Sequence, residues 1–116
     1  MSGPAVILRV REPSQAVRFY GDVLGFDVLT LGADRAQADL PGVVVELVRD
    51  GALETLHGAG AARHRSGVGV ELRLAVADPV ALAERVRTRG GFLVSATADA
   101  TTVRDGDGYV WTFVRG

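Results

Sequence analysis

Apolar residues occupy every second position from Val6 to Val10 (Val6, Leu8, Val10) and again from Leu72 to Val76 (Leu72, Leu74, Val76). That is the spacing of a strand with one face in a core. Each run is followed by a change of period. Pro13 and Pro79 stand where a helix begins, with Asp78 placed to cap the second. In the first helix Ala16, Phe19, Tyr20, Val23 and Leu24 share one face; in the second Val80, Ala83 and Val86 do. Gly25 and Gly90-Gly91 end the helices. Strands are then predicted at 26–31 and 35–40, and at 92–97 and 100–105, with a glycine turn leading into Val43–Arg49 and into Tyr109–Arg115. Each half therefore reads β-α-β-β-β.

The halves are copies. At an offset of 66 residues and without a gap, 12 of 50 pairs are identical, among them Gly25/Gly91, Phe26/Phe92, Val28/Val94, Gly42/Gly108, Val44/Val110, Val48/Val114 and Arg49/Arg115. A regular period of this length marks a duplicated supersecondary unit whose copies share a core. The expected organisation is a first module over 1–50, a linker over 51–67 and a second module over 68–116, together one structural domain. One helix covers only one face of such a unit. Two units are expected to form an α+β fold: a curved, eight-stranded, mostly antiparallel sheet with helices outside and a concave surface suited to a small molecule.

Composition narrows the partners. Thirteen basic and fourteen acidic residues leave a net charge of −1, and no basic cluster points to nucleic acid. The apolar runs are too short to span a membrane, and Met1-Ser2-Gly3-Pro4 does not open a secretory signal, so a cytoplasmic protein is expected. With no Cys, thiolate ligands and cysteine nucleophiles are ruled out. With every basic residue an Arg, so is a lysine Schiff base.

Val10-Arg11-Glu12-Pro13 with Phe19-Tyr20-Gly21-Asp22-Val23-Leu24-Gly25-Phe26, and Arg104-Asp105-Gly106-Asp107-Gly108-Tyr109-Val110-Trp111 near the end, resemble the opening and closing motifs of the vicinal oxygen chelate superfamily. That superfamily includes glyoxalase I, extradiol dioxygenases, and fosfomycin- and bleomycin-resistance proteins. Gly106 and Tyr109 depart from a closing pattern that usually has Pro and Asn there. The resemblance implies paired βαβββ modules and a homodimer, sometimes with exchanged N-terminal strands, for which Pro4 is a possible hinge. It also implies four symmetric metal positions, falling here on Ala5, Glu46, Glu71 and Thr112. Ala has no donor atom and a neutral Thr hydroxyl is a poor one. Glu46 and Glu71 with waters suit a hard cation such as Mg²⁺ better than Zn²⁺, Ni²⁺ or Fe²⁺. The expectation is therefore no metal cofactor, with these as vestigial positions. The two histidines, His57 and His64, fall in the linker and are expected to face solvent.

Strand alternation sorts the remaining residues. If Glu46 and Thr112 face the cavity, so do Ile7, Arg9, Val44, Val48, Glu71, Arg73, Val110 and Val114. Val45, Leu47, Tyr109, Trp111 and Phe113 then belong to the core, and Trp111 is not a stacking platform. Arg9, Glu46, Glu71 and Arg73 are expected to line one pocket, pairing with one another or with a polar ligand. The ligand-binding set is thus Ile7, Arg9, Val44, Glu46, Val48, Glu71, Arg73, Val110 and Thr112. The leading expectation is a metal-free protein that sequesters a small organic ligand, an antibiotic or natural product, as the bleomycin-resistance branch does. The alternatives are a metal-dependent lyase, isomerase or dioxygenase, and a metal-free acid–base enzyme using Glu46 or Glu71.

Overall fold

A computed structural model describes residues 5–49 and 70–116. The linker histidines, Pro4 and the 51–67 boundary lie outside the described residues. The first module comprises β1 (Ala5–Val10), α1 (Pro13–Val17) running on into a π-helical turn (Arg18–Val23), β2 (Asp27–Thr30), β3 (Arg35–Leu40) and β4 (Val43–Arg49). The second comprises β5 (Glu71–Val76), α2 (Pro79–Thr88), β6 (Phe92–Ala96), β7 (Ala100–Arg104) and β8 (Val110–Arg115).

The α+β fold of two βαβββ modules is as the periodicity requires. Within one chain the eight strands divide into two four-stranded sheets of the same order, β1-β4-β3-β2 and β5-β8-β7-β6. In each, the first strand runs parallel to the last and the other pairings are antiparallel. The pairing register also repeats at the sequence offset: Ala5 lies opposite Val44, and Glu71 opposite Val110.

Alternation along the strands holds. Leu8, Val10, Val45, Leu47, Tyr109, Trp111 and Phe113 are buried, and Val6, Leu72, Leu74 and Val76 pack against that core. In α1 and the turn beyond it, Ala16, Tyr20, Val23 and Leu24 are buried and Phe19 is partly so. In α2 one expectation fails. Val80 is 50% exposed, and Leu82 joins Ala83 and Val86 in the buried stripe. Asp78 caps this helix by accepting the Ala81 N–H at 3.1 Å, and Pro79 takes the first helical position. With the first turn so fixed, the arc through Leu82, Ala83 and Val86 meets the sheet, and Val80 falls outside it.

The helices also differ in length. The left-handed glycine that ends the first is Gly25 (φ +87°), and the one that ends the second is Gly90 (φ +83°). One residue more thus separates Pro13 from Gly25 than Pro79 from Gly90, and the π turn absorbs it by closing wider rings than an α turn.

Each module is fastened at the end of its last strand by an arginine. The Arg49 guanidinium donates to the Arg11 and Ala33 carbonyls and pairs with Asp34 (2.6 Å) and Glu12 (3.2 Å). These bonds hold its already high pKa higher still. Arg115 does the equivalent work with the Ala77 and Ala98 carbonyls and Asp99. The identity of Arg49 and Arg115 across the repeat is thereby explained.

Candidate functional site

The sequence-predicted site residues lie on the outward faces of the two sheets. On the first, Ile7 is opposite Glu46, Arg9 opposite Val48, and Ala5 opposite Val44. On the second, Glu71 is opposite Val110 and Arg73 opposite Thr112. All are partly or fully exposed, with Ile7 at 53%. The expected pairing of Arg9 and Arg73 with Glu46 and Glu71 is not what the structure shows. Glu46 is held by Arg35 at 2.6 Å, because Arg35 sits one strand away on β3 and reaches along the same face. Glu71 accepts a long bond (3.5 Å) from the Thr112 hydroxyl, which also bonds Thr102 at 3.0 Å.

A metal would have to be held by Ala5, Glu46, Glu71 and Thr112. Ala5 has no donor, the Glu46 carboxylate is engaged by a guanidinium, and the Thr112 hydroxyl is shared with its neighbours. Among the described residues no three His, Cys, Asp or Glu side chains come together as a metal site. The donor set does not fit a transition metal.

A second constellation is built where the modules meet. The closing motif forms the β7–β8 loop, turned at Gly108 (φ +95°). Asp105 Oδ1 accepts the N–H groups of Asp107 (2.9 Å) and Tyr109 (2.8 Å), so the carboxylate shapes the loop as a local turn does. Its Oδ2 accepts the Tyr20 hydroxyl at 2.8 Å, and that hydroxyl in turn accepts the Trp111 indole N–H at 2.9 Å. Asp107 accepts the Arg11 backbone N–H at 2.9 Å. Tyr109, where the superfamily pattern usually has Asn, sends its hydroxyl to Arg9. It accepts the Arg9 N–H and donates to the Arg9 carbonyl, both at 2.9 Å. This covers part of the free edge of β1, an edge that would otherwise invite pairing. Trp111 lies 2% exposed, stacked on Phe113 with ring centroids 5.7 Å apart.

Burial, reinforced by the Asp105 charge, pushes the Tyr20 phenol well above its ordinary pKa. Burial likewise lifts Asp105 above the usual carboxylate range, against the pull of its bonds from Tyr20, Tyr109 and Asp107. The sequence places Tyr20 on the apolar face of the first helix and Asp105 in the closing motif, and gives neither a part in a site. The motif was legible, but nothing in the sequence brings Tyr20 to a carboxylate 85 positions away. What this network does is join the first helix to the second sheet.

Above it, between α1 with its π turn, the residues after α2 and the β7–β8 loop, runs a groove of about 790 Å³. Arg11, Arg18, Arg89, Arg104, Phe19 and Phe92 are among the residues that line it. No sequence-predicted site residue does.

A family model described as a glyoxalase-like domain matches residues 5–114. Among solved structures, TioX from Micromonospora sp. ML1 is 25% identical, with a TM-score of 0.73 over 99% of this chain and 98% of that one. A glyoxalase/bleomycin resistance protein/dioxygenase from Nocardioides is 22% identical (TM-score 0.74; 99% and 83% covered). A glyoxalase/bleomycin resistance protein/dioxygenase family enzyme from Burkholderia phytofirmans PsJN is 17% identical (TM-score 0.78; 96% and 95%). The last two are likenesses of fold. No curated protein matches the sequence significantly. Among the described residues no helix is long and apolar enough to cross a membrane.

Proposed function

The chain belongs to the glyoxalase-like domain family, within the vicinal oxygen chelate superfamily, and from that premise we propose that it is a metal-free binding protein for a small organic molecule, an antibiotic or natural product. The observation that carries the reading is the donor set: of the four positions where the superfamily places its metal, one has no donor and one only a hydroxyl already bonded within its own sheet. A Lewis-acid step cannot be derived from such residues.

The ligand would lie against the outward sheet faces, with Ile7, Val44, Val48 and Val110 as apolar surface and Arg9, Glu46, Glu71, Arg73 and Thr112 as polar contacts. Each chain presents these faces open, and exposed apolar surface beside charged groups is typical of an interface or ligand groove. We propose that a homodimer encloses them. Light scattering should then report a dimer at micromolar protein concentration. Isothermal titration against glycopeptide, quinone and intercalator antibiotics should find at least one ligand bound far more tightly than millimolar. That binding should weaken in Arg9→Ala or Arg73→Ala. Uniform failure across a broad panel removes the proposal.

A further inference from the structure

We propose that the groove between the π turn and the β7–β8 loop is a second binding site, beside the outward face of the second sheet, where Phe92 and Arg104 stand in one cross-strand row with Val110 and Glu71, for an oxyanion carried on an aromatic body. Four guanidinium groups border it: Arg11, Arg18, Arg89 and Arg104. Three carboxylates border it too, and each is already engaged. Glu12 is paired with Arg49 at 3.2 Å, Asp107 accepts the Arg11 N–H, and Asp105 is turned inward to Tyr20 and the loop backbone. Among the described residues Arg18 and Arg89 have no carboxylate within salt-bridge distance. Among the described residues the groove thus holds two cations without a carboxylate partner. Guanidinium groups so placed recognise carboxylate or phosphate oxygens by paired N–H donors.

The remainder of the lining explains the aromatic body. Phe92 is 56% exposed although large and apolar, and the Arg104 guanidinium lies 4.2 Å from its ring centroid. A second ring on this platform adds stacking and further cation–π contact. Phe19, Ala16 and Val23 supply an apolar wall. The volume is that of a drug-sized ligand site, for which the usual range is about 300–1,000 Å³. Arg18 and Phe19 open the π turn, a backbone irregularity that frequently accompanies function. The helix equivalent in the other module has no such turn.

The test uses the whole chain and three probes of one size: 2-naphthoate, 2-naphthyl phosphate and uncharged 2-naphthalenemethanol. Both anions should bind, the alcohol at least about tenfold more weakly, and added salt should reduce the difference. The two anions distinguish carboxylate from phosphate as the preferred head. Arg18→Ala and Arg89→Ala, both at exposed positions and so expected to fold, should each weaken anion binding about tenfold, with the alcohol unaffected. Amide shifts in a titration followed by NMR should centre on Arg18, Phe19, Gly90 and Gly91. Equal binding of the alcohol, unchanged binding in both variants, or shifts centred on β1, β4 and β5 instead would each overturn the assignment. The last of these would leave the sheet-face proposal standing, so the two readings fail separately.

Discussion

Tyr20→Phe is the sharpest test of how the modules are joined. The substitution removes one oxygen and leaves the ring, which keeps its edge contacts to Phe19 (5.1 Å) and Trp111 (6.2 Å). The apolar contribution is therefore almost unchanged. What is lost is the atom that both receives the Trp111 N–H and donates to Asp105 Oδ2. A buried donor and a buried carboxylate oxygen are left without those partners. A hydrogen bond to a charged group contributes about 1.5–3 kcal/mol and an orphaned neutral donor costs about 1–3 kcal/mol, so a loss of about 3 kcal/mol is expected. At this chain length that lowers Tm by roughly 12 °C. The change should also depend on pH. Burial already raises Asp105, so in the wild type this group's contribution to stability falls as pH climbs from the ordinary carboxylate value through the raised one. Removing the Tyr20 bond takes away the largest influence lowering that pKa and extends the window upward. The deficit of the variant should therefore be larger near pH 7 than near about pH 4. Urea unfolding followed by Trp111 fluorescence at both pH values measures this directly. A loss below about 0.5 kcal/mol, or one equal at both pH values, would refute the account.

Further outcomes follow from the same geometry. Asp105→Asn keeps an oxygen for the Asp107 and Tyr109 N–H groups but sets an NH₂ against the Tyr20 hydroxyl; it should cost about 1–2 kcal/mol near neutral pH and flatten stability against pH above the ordinary carboxylate range. Gly25→Ala should destabilise more than Gly42→Ala in denaturant melts. Both have positive φ, costing roughly 1 kcal/mol or more for a side chain, but a Cβ at Gly25 would also lie 2.8 Å from Arg85 Nε, whereas Gly42 has open space. Exposure to Zn²⁺ or Ni²⁺ followed by desalting should leave less than about a tenth of an equivalent on the protein, read by elemental analysis; stoichiometric retention would contradict the donor-set argument.

Period and repeat were sufficient for the elements, because alternation along β1, β4, β5 and β8 and the 66-residue offset are properties of the chain itself. Trp111 could be assigned to the core from Glu46 and Thr112 by alternation alone. Val80 could not be assigned correctly, because the buried arc of α2 is set by its cap and by where the sheet lies. The ion pairs were legible only in part. Arg9 and Glu46 do share a face, yet Arg35 wins the carboxylate from the neighbouring strand β3, a pairing that alternation along β1 and β4 does not reveal. The seam was least legible. Asp105 and Trp111 stood out as a motif, but their partner Tyr20 reads in sequence as one more apolar position on a helix.

That seam exists once, although the strand order and the arginine fasteners exist twice. The positions equivalent to Tyr20, Asp105 and Trp111 in the opposite module are Val86, the exposed Asp39 and Val45. A chain made of two first modules would lack the indole and the inward carboxylate; one made of two second modules would lack the phenol. The halves of this protein have thus become complementary rather than interchangeable, like the two parts of a clasp. A single half cannot recreate the joint by associating with its own copy.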